Sequence, residues 1–442
     1  MSLMGMLEDS LWKKIIIFAL PLALTSFLQQ LFVAADIAIA GKFLGSAAIG
    51  AIGNTVPIIN LSVNLLVGLS VGATVVVSQL LGEGREDKVS QSVHAAMSMA
   101  LVGGIIVMLL GWLMAAPLLN SMDTPEALLD YGKQYLYIYF CSTPFLMVFN
   151  FGAAILRSQG DTKKPLLCLL CSSGTNIVLN FLLGKLWGVA GIAVATALAN
   201  MLSCLLLLFF LLRYKGLLRL YPSKLHWHWE TVRKILRIGM PAAIQGMVFS
   251  VSNIIIQGAL NSLGKEAVAA SAIALNYEML AFFLLNSFGQ ACVAYNGYYF
   301  GARNFAMCKK VTWTCLGLSM LITCSACYLV LFNYQFFLSP FTADEGLMKL
   351  AVQRLWYIIA FEGLQIVMET FAGSMRGWGV SLVPAVICIF GICIVRVIYV
   401  YTVFTAHPTF EVLMTVYPLT WVISALGIFT AYLYVRKRVL VA

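Results

Sequence analysis

The sequence predicts an all-α integral membrane protein with twelve transmembrane helices in two pseudo-symmetric six-helix lobes. Three observations carry this. The 442-residue chain is 61% hydrophobic and only 10% charged; soluble domains are about half apolar and roughly a quarter charged, so this surface is one that lipid must solvate. Twelve apolar runs long enough to cross a bilayer alternate with short loops marked by charge, Gly or Pro. The last six runs repeat features of the first six at a fixed offset.

A helix needs about 20 apolar residues to cross a hydrocarbon core of roughly 30 Å. In the first lobe the expected spans are 13–40, 50–81, 93–118, 131–156, 165–183 and 187–212. The first is too long for a cleavable signal peptide and no small-residue cleavage pattern follows it, so it is expected to stay. The second ends at Gly82-Glu83-Gly84-Arg85, a tight turn that resembles a phosphate loop only superficially. The fourth closes on Arg157 and Gly160, and Pro165 opens the fifth. After the sixth comes a cationic connector, 213–231, with the run His226-Trp227-His228-Trp229. Its alternating Trp and cationic side chains suit an amphipathic segment at the cytoplasmic interface better than a metal or haem site. The second lobe's spans are 232–263, 268–300, 311–338, 351–374, 383–405 and 411–435. Several exceed a straight crossing, which implies tilt or extension beyond the bilayer. The domain expectation is a lobe over 1–212, the connector over 213–231 and a lobe over 232–442.

Gly45 and Gly264, Gly82 and Gly301, Arg157 and Arg376, Gly160 and Gly379, and Pro165 and Pro384 are each 219 positions apart. Pro21 and Pro241 differ by 220, so one residue of length variation precedes Gly45. An even, six-helix unit re-enters the membrane from the same side, which makes the repeats parallel. Transporters built this way place substrate near the midplane between the halves.

Orientation follows Lys and Arg in short loops. With the N-terminus in the cytoplasm, the outer side receives only Lys42, Lys133, Lys185, Lys265, Lys349 and Arg354; Arg396 falls within a span, and the rest of the 28 cations lie inside. Both termini are expected to be cytoplasmic. The net charge of +10 is then explained by topology and anionic lipid, with no nucleic-acid partner. The 11 cysteines lie almost entirely within spans, and Cys168-x-x-Cys171 and Cys324-x-x-Cys327 have no nearby His to complete a zinc set. They read as small buried hydrophobes.

Ionisable groups inside a membrane are expensive and mark function by default. Asp36, late in the first span, shares a helical face with Thr25 and Gln29. A carboxyl at that depth can take up and release a proton or coordinate a small cation such as Na+. Asn176 and Asn180, with Ser172, form a polar stripe on the fifth span, and Asn60 and Asn64 a shorter one on the second. Either stripe can line a cavity or hydrogen-bond neighbouring helices. In the second half Gln245, Asn253 and Gln257 mark the seventh span, Glu278 sits early in the eighth without an evident partner, and Glu362, Gln365 and Glu369 share a face of the tenth. Arg396 is the obvious partner for Glu362 or Glu369, in a structural ion pair or a transport role. No Walker-type loop and no His-Glu-x-x-His helix occurs, so neither an enzyme nor a chain with its own ATP motor is expected.

Three stretches carry a resemblance: Ala35 to Gly45 around Asp36, Gln79-Leu80-Leu81-Gly82-Glu83-Gly84, and Leu156-Arg157-Ser158-Gln159-Gly160-Asp161-Thr162 followed by Pro165. With the echoes Tyr298 to Gly301 and Met375-Arg376-Gly377-Trp378-Gly379, the chain resembles the multidrug and toxic compound extrusion (MATE) family over essentially its whole length. The resemblance implies a multi-pass prokaryotic cell-membrane antiporter. It would export small organic, often cationic, drugs or metabolites by rocker-switch movement, coupled to H+ or Na+. No cofactor and no ATPase subunit are implied, membrane lipid is the expected surrounding, and a monomer is expected. Asp36 matches the family's acidic position on the first helix, with Asn176 and Asn180 beside it as coupling-ion residues. The family's Asn-x-x-x-Asp appears here as Asn176-x-x-x-Asn180, so the second acid is missing. Glu278 falls where many members carry an acid, and it joins Gln29, Asn60, Asn64, Asn253, Gln257 and Glu369 as candidate cavity residues. The alternative is a lipid-linked precursor flippase of the same superfamily, which would need a cationic cavity.

Overall fold

A computed structural model describes residues 11–122, 126–342 and 344–440, and the extreme chain ends assigned above to the cytoplasm lie outside them. The described chain is helical, with no strand among its residues. In chain order the helices are α1 (Leu11–Leu44), α2 (Ser46–Gly82), α3 (Glu86–Ser121), α4 (Glu126–Cys141), α5 (Thr143–Ser158) and α6 (Lys163–Leu212). There follow α7 (Trp229–Ser262), α8 (Lys265–Gly301), α9 (Phe305–Ser319), α10 (Ser325–Phe332), α11 (Tyr334–Leu338), α12 (Glu345–Ile358), α13 (Glu362–Gly377), α14 (Leu382–Cys388), α15 (Val395–Tyr399) and α16 (Phe410–Val439).

Ten described helices are each long and apolar enough to cross a membrane, and α4 with α5 makes one further span bent by 46°. The α6 element has 50 residues, about 75 Å at 1.5 Å per residue, more than twice a bilayer core. It is two crossings: Gly188 breaks the helix at φ 63°, ψ −137°, and a Cβ on Gly191 would lie 1.9 Å from the Leu183 carbonyl oxygen. Only Gly permits that close return of the chain. Counting α6 twice, the fold has twelve crossings.

The sequence-derived boundaries hide several breaks. The fourth span is interrupted at Ser142, where α4 passes into α5 with Pro144 in the first turn of α5. The tenth is α12, a 3-10 turn Ile359–Phe361 and then α13. The ninth stops at Phe332, leaving α11 as a separate short helix. π-helical turns occupy Met320–Cys324, Ile389–Ile394 and Val400–Phe404.

Two compact units are present: Leu24–Ala243, and Ile244–Ala442 with the described part of Gly5–Ala23. The division falls within α1 and α7, just past Pro21 and Pro241. Within the first unit α2 meets the start of α7 through glycine: a Cβ on Gly68 would lie 2.3 Å from the Ala243 Cα, and one on Gly72 2.2 Å from the Ile235 oxygen. Within the second unit Phe18 packs edge-on against Tyr295 at 5.7 Å. The connector before α7 is irregular, with a turn at 216–218 and a short 3-10 turn, Pro222–Lys224. His94 fastens it, since the backbone N–H of Tyr221 donates to His94 Nε2 at 3.0 Å. His228 hydrogen-bonds Thr231 at the start of α7, and the Trp227 and Trp229 rings stack at 6.5 Å, both largely exposed. Every described cysteine is unpaired by disulfide.

Candidate functional site

In the first unit the buried polar centre is Asp36, 2% exposed. The Gly188 turn folds the two arms of α6 side by side, so that Asn176 and Asn180 of one arm and Thr196 of the other reach the same point. Asn180 Nδ2 donates to Asp36 Oδ1 at 2.7 Å and Thr196 Oγ1 lies 2.8 Å from Oδ2. The Tyr135 hydroxyl of α4 donates to Oδ2. Asn180 Nδ2 also donates to Asn176 Oδ1 at 3.1 Å, and Asn176 Nδ2 donates to Thr196 Oγ1 at 3.2 Å. The spacing of four in Asn176 and Asn180 is what puts both on one helical face.

All four partners are buried, and no described ion pair includes Asp36. Asn180 Oδ1 has no hydrogen-bond partner among the described residues. The site is therefore an oxygen-rich cage around a carboxyl with no countercharge. Chemically it can hold a proton on Asp36, or a hard cation that draws on Asp36, Asn180, Asn176 and Thr196 oxygens. Sequence reading found Asp36, Asn176 and Asn180 but missed Tyr135 and Thr196. A lone Thr in the Ala-rich run 193–199 was the available signal for the second; nothing singled out Tyr135 among its aromatic neighbours.

Gln29 and Asn64 are half-buried and Asn60 is exposed. None of the three is among the described donors to Asp36.

The second unit buries a different set. Arg354 grips Glu278 through two bonds, Nε to Oε1 at 2.6 Å and Nη2 to Oε2 at 2.9 Å. This corrects two expectations: Glu278 does have a partner, and Arg354 is a buried group of α12, 5% exposed, not an outer-loop cation. A buried charge needs its counterion close, and the planar fork of Arg suits a carboxylate. Glu369 does not pair with Arg396 either. Its Oε1 accepts from Arg376 Nη1 at 2.9 Å, two turns along α13, while Arg376 Nη2 donates to Gln245 at 3.0 Å. Arg376, counted above as a cytoplasmic cation, is itself only 6% exposed.

Arg396 has no described ion pair with Glu362 or Glu369. It is 1% exposed, donates from Nη1 to Asn253 Oδ1 at 3.2 Å and from Nε to Thr420 Oγ1 at 3.5 Å, and lies over the Tyr417 ring at 4.7 Å. Gln257 is exposed and donates to Asn261 at 2.9 Å. A cavity of about 240 Å³ within this unit is lined by Asn253, Gln257, Glu278, Arg354, Glu362 and Arg396, among others.

The MatE family model matches twice, at residues 21–182 and 241–402, the same two halves that the repeat delimits. A probable multidrug resistance protein, YoeA of Bacillus subtilis (strain 168), is 27% identical over 98% of this chain and 95% of its own length. A probable multidrug resistance protein NorM of Thermotoga maritima is also 27% identical, over 87% of this chain and 84% of its own. Among solved structures, an outward-facing multidrug resistance MATE family transporter of the MOP superfamily superposes with a TM-score of 0.86 at 20% identity. It covers 97% of this chain, and 96% of the solved chain is matched. A MOP superfamily transporter from Pyrococcus furiosus, described as having a binding pocket of reversed polarity, superposes at 0.87 with 19% identity and the same coverages. Twelve crossings, two family-model matches and that shared fold agree: this chain is a multi-pass membrane transporter of the MATE family.

Proposed function

We propose that the chain exports small organic, often cationic, drugs or metabolites across a prokaryotic cytoplasmic membrane in exchange for H+ or Na+, with Asp36 as the coupling carboxyl. The observation that carries the proposal is the Asp36 cage: a 2% exposed carboxyl with neutral donors and no described cation. Such a group is stable in an apolar surrounding only when neutralised, so it binds a proton or a small cation and releases it when the surroundings change. Asn180 and Asn176 complete the ion site, and Thr196 and Tyr135 hold the carboxyl in register.

In this reading the lobes 1–212 and 232–442 rock about the connector 213–231, exposing the cage and the cavity residues to one side at a time. Both termini face the cytoplasm and one chain suffices. Ion binding needs to favour one conformation over the other by only a few kcal/mol to drive the cycle. The flippase alternative gains no support, because the second-unit cavity sets Arg354 and Arg396 against Glu278 and Glu362 and is not a cationic chamber.

The test is efflux of ethidium, a fluorescent organic cation, from proteoliposomes under an imposed pH gradient and separately under a sodium gradient. Wild type should respond to one gradient, and Asp36→Asn, still folded, should respond to neither. Normal pumping by Asp36→Asn would sink the assignment.

A further inference from the structure

The start of α3 and the connector form a groove of about 640 Å³. Asp87, Lys88, Ser90 and Gln91 line it from α3, and Lys224 and His226, among others, from the connector. His94, 1% exposed, ties the two walls together: the Tyr221 N–H donates to Nε2 at 3.0 Å, and Nδ1 donates to the Ser90 carbonyl oxygen at 2.6 Å. The Tyr221 ring also stacks on the His94 ring at 6.1 Å. With both ring nitrogens engaged, the connector is held in register against α3, so the groove is a formed feature of the first unit.

Its charges point to an anion. Lys88 and Lys224 are exposed and belong to no described ion pair, and Asp87 is the one acid among the lining residues. From 213 to 237 the sequence sets seven cations against a single acid, Glu230. A concentration of one sign of charge attracts the opposite sign. Two ammonium groups suit a phosphate, Ser90 and Gln91 add neutral hydrogen-bonding side chains, and the Asp87 carboxylate accepts from a hydroxyl. A phosphate carrying a polyol matches that set, whereas a bare anion would only repel Asp87. The margin of the groove says where such a phosphate comes from. Leu225, which also lines the groove, is 42% exposed, and Trp227 and Trp229 are 48% and 61% exposed. Trp concentrates at the level of lipid headgroups. Along α3 the first large exposed apolar side chains are Leu101 and Val102, and Leu101 lies about 10 Å beyond His94 at 1.5 Å per residue. The groove therefore sits just outside the hydrocarbon core, at headgroup depth.

We propose that this groove binds the headgroup of an anionic glycerophospholipid that carries hydroxyls, such as phosphatidylglycerol. The phosphate lies between Lys88 and Lys224, the headgroup hydroxyls meet Asp87, and the chains leave past Leu225 and Trp227 into the bilayer. The bound lipid bridges α3 and the connector. The site uses neither Asp36 nor the second-unit cavity and stands or falls apart from the exporter reading.

The experiment is native mass spectrometry of the purified full-length protein, titrated with phosphatidylglycerol and separately with phosphatidylcholine. Wild type should bind its first phosphatidylglycerol about tenfold tighter, since each cation near an anionic headgroup supplies a factor of about five. The double variant Lys88→Gln/Lys224→Gln should lose most of that preference. Lys234→Gln/Arg237→Gln, which removes two exposed cations of α7 outside the groove, should keep it. Equal wild-type affinity for the two lipids overturns the proposal without recourse to any variant. So does an equal loss of preference in both double variants, which would mean a diffuse field and no site. Phosphatidic acid, which keeps the phosphate and lacks the hydroxyls, should bind more weakly than phosphatidylglycerol, and equal binding overturns the contact with Asp87. Inorganic phosphate at the lipid's concentration should displace no phosphatidylglycerol; displacement would assign the groove to a soluble phosphate and overturn the lipid assignment.

Discussion

After α2, the amides of Glu83, Gly84 and Arg85 donate to the carbonyls of Gln79, Leu81 and Leu80; after α8, those of Ala302, Arg303 and Asn304 donate to Tyr298, Phe300 and Tyr299. The two lobes thus repeat one turn bond for bond at the offset of 219. Gly160 and Gly379 repeat another, at φ 89° and 86°. The buried polar chemistry does not repeat. Tyr135 and Arg354 occupy equivalent positions, and each reaches a carboxylate, but the neutral phenol completes a cage around a lone acid while the guanidinium completes an ion pair. Duplication preserved the caps and turns, which only one backbone geometry satisfies, and left the interior side chains free to diverge in charge.

The largest expected difference between the lobes is in stability. Glu278→Gln leaves Arg354 buried without its counterion and should cost about 3–5 kcal/mol, whereas Asp36→Asn removes an unpaired buried charge and should leave stability unchanged or improved. Thermal unfolding of the solubilised variants would measure both. Equal melting temperatures for the two would show that the lobes do not differ as described.

A smaller effect sharpens the packing comparison. Gly72→Ala drives a Cβ to 2.2 Å from the Ile235 oxygen and should destabilise by about 1–3 kcal/mol, since a backbone atom cannot turn aside. The equivalent position in the second lobe already carries Ala291, fully buried. A Gly72→Ala protein that melts with wild type would mean the first lobe has the slack of the second.

The smallest effect tests the repeated turn. Its left-handed position is Gly84 in one lobe, φ 69°, and Arg303 in the other, φ 54°, the one non-glycine residue at positive φ among those described. Gly84→Ala should cost about 1 kcal/mol and Arg303→Gly should recover up to a similar amount, because only glycine adopts that conformation without crowding its Cβ. Denaturation midpoints of the two variants should move in opposite directions.

Much of the candidate site was legible because burial makes an acid conspicuous. Asp36 is a charge in an apolar run, and Asn176 with Asn180 follows helical spacing. Partners across helices were not legible. Arg354 and Arg376 read as loop cations, because near the ends of a span hydropathy cannot distinguish an Arg facing water from one gripping Glu278 or Glu369. Charge alone pairs Arg396 with an acid of the tenth span, but contact depends on which faces the helices turn toward each other.

The sequence by itself determined the membrane class, the number of crossings, the duplication and the identity of the first-lobe acid. Each of these is written in composition, run length or periodicity along one dimension. Only the tertiary structure decided that Gly188 folds α6 so that Thr196 joins Asn180 at Asp36, that Glu278 belongs to Arg354, and that Arg396 and Glu362 line one cavity without pairing. Those are distances between residues far apart in the chain, set by how helices pack, and no linear pattern encodes them.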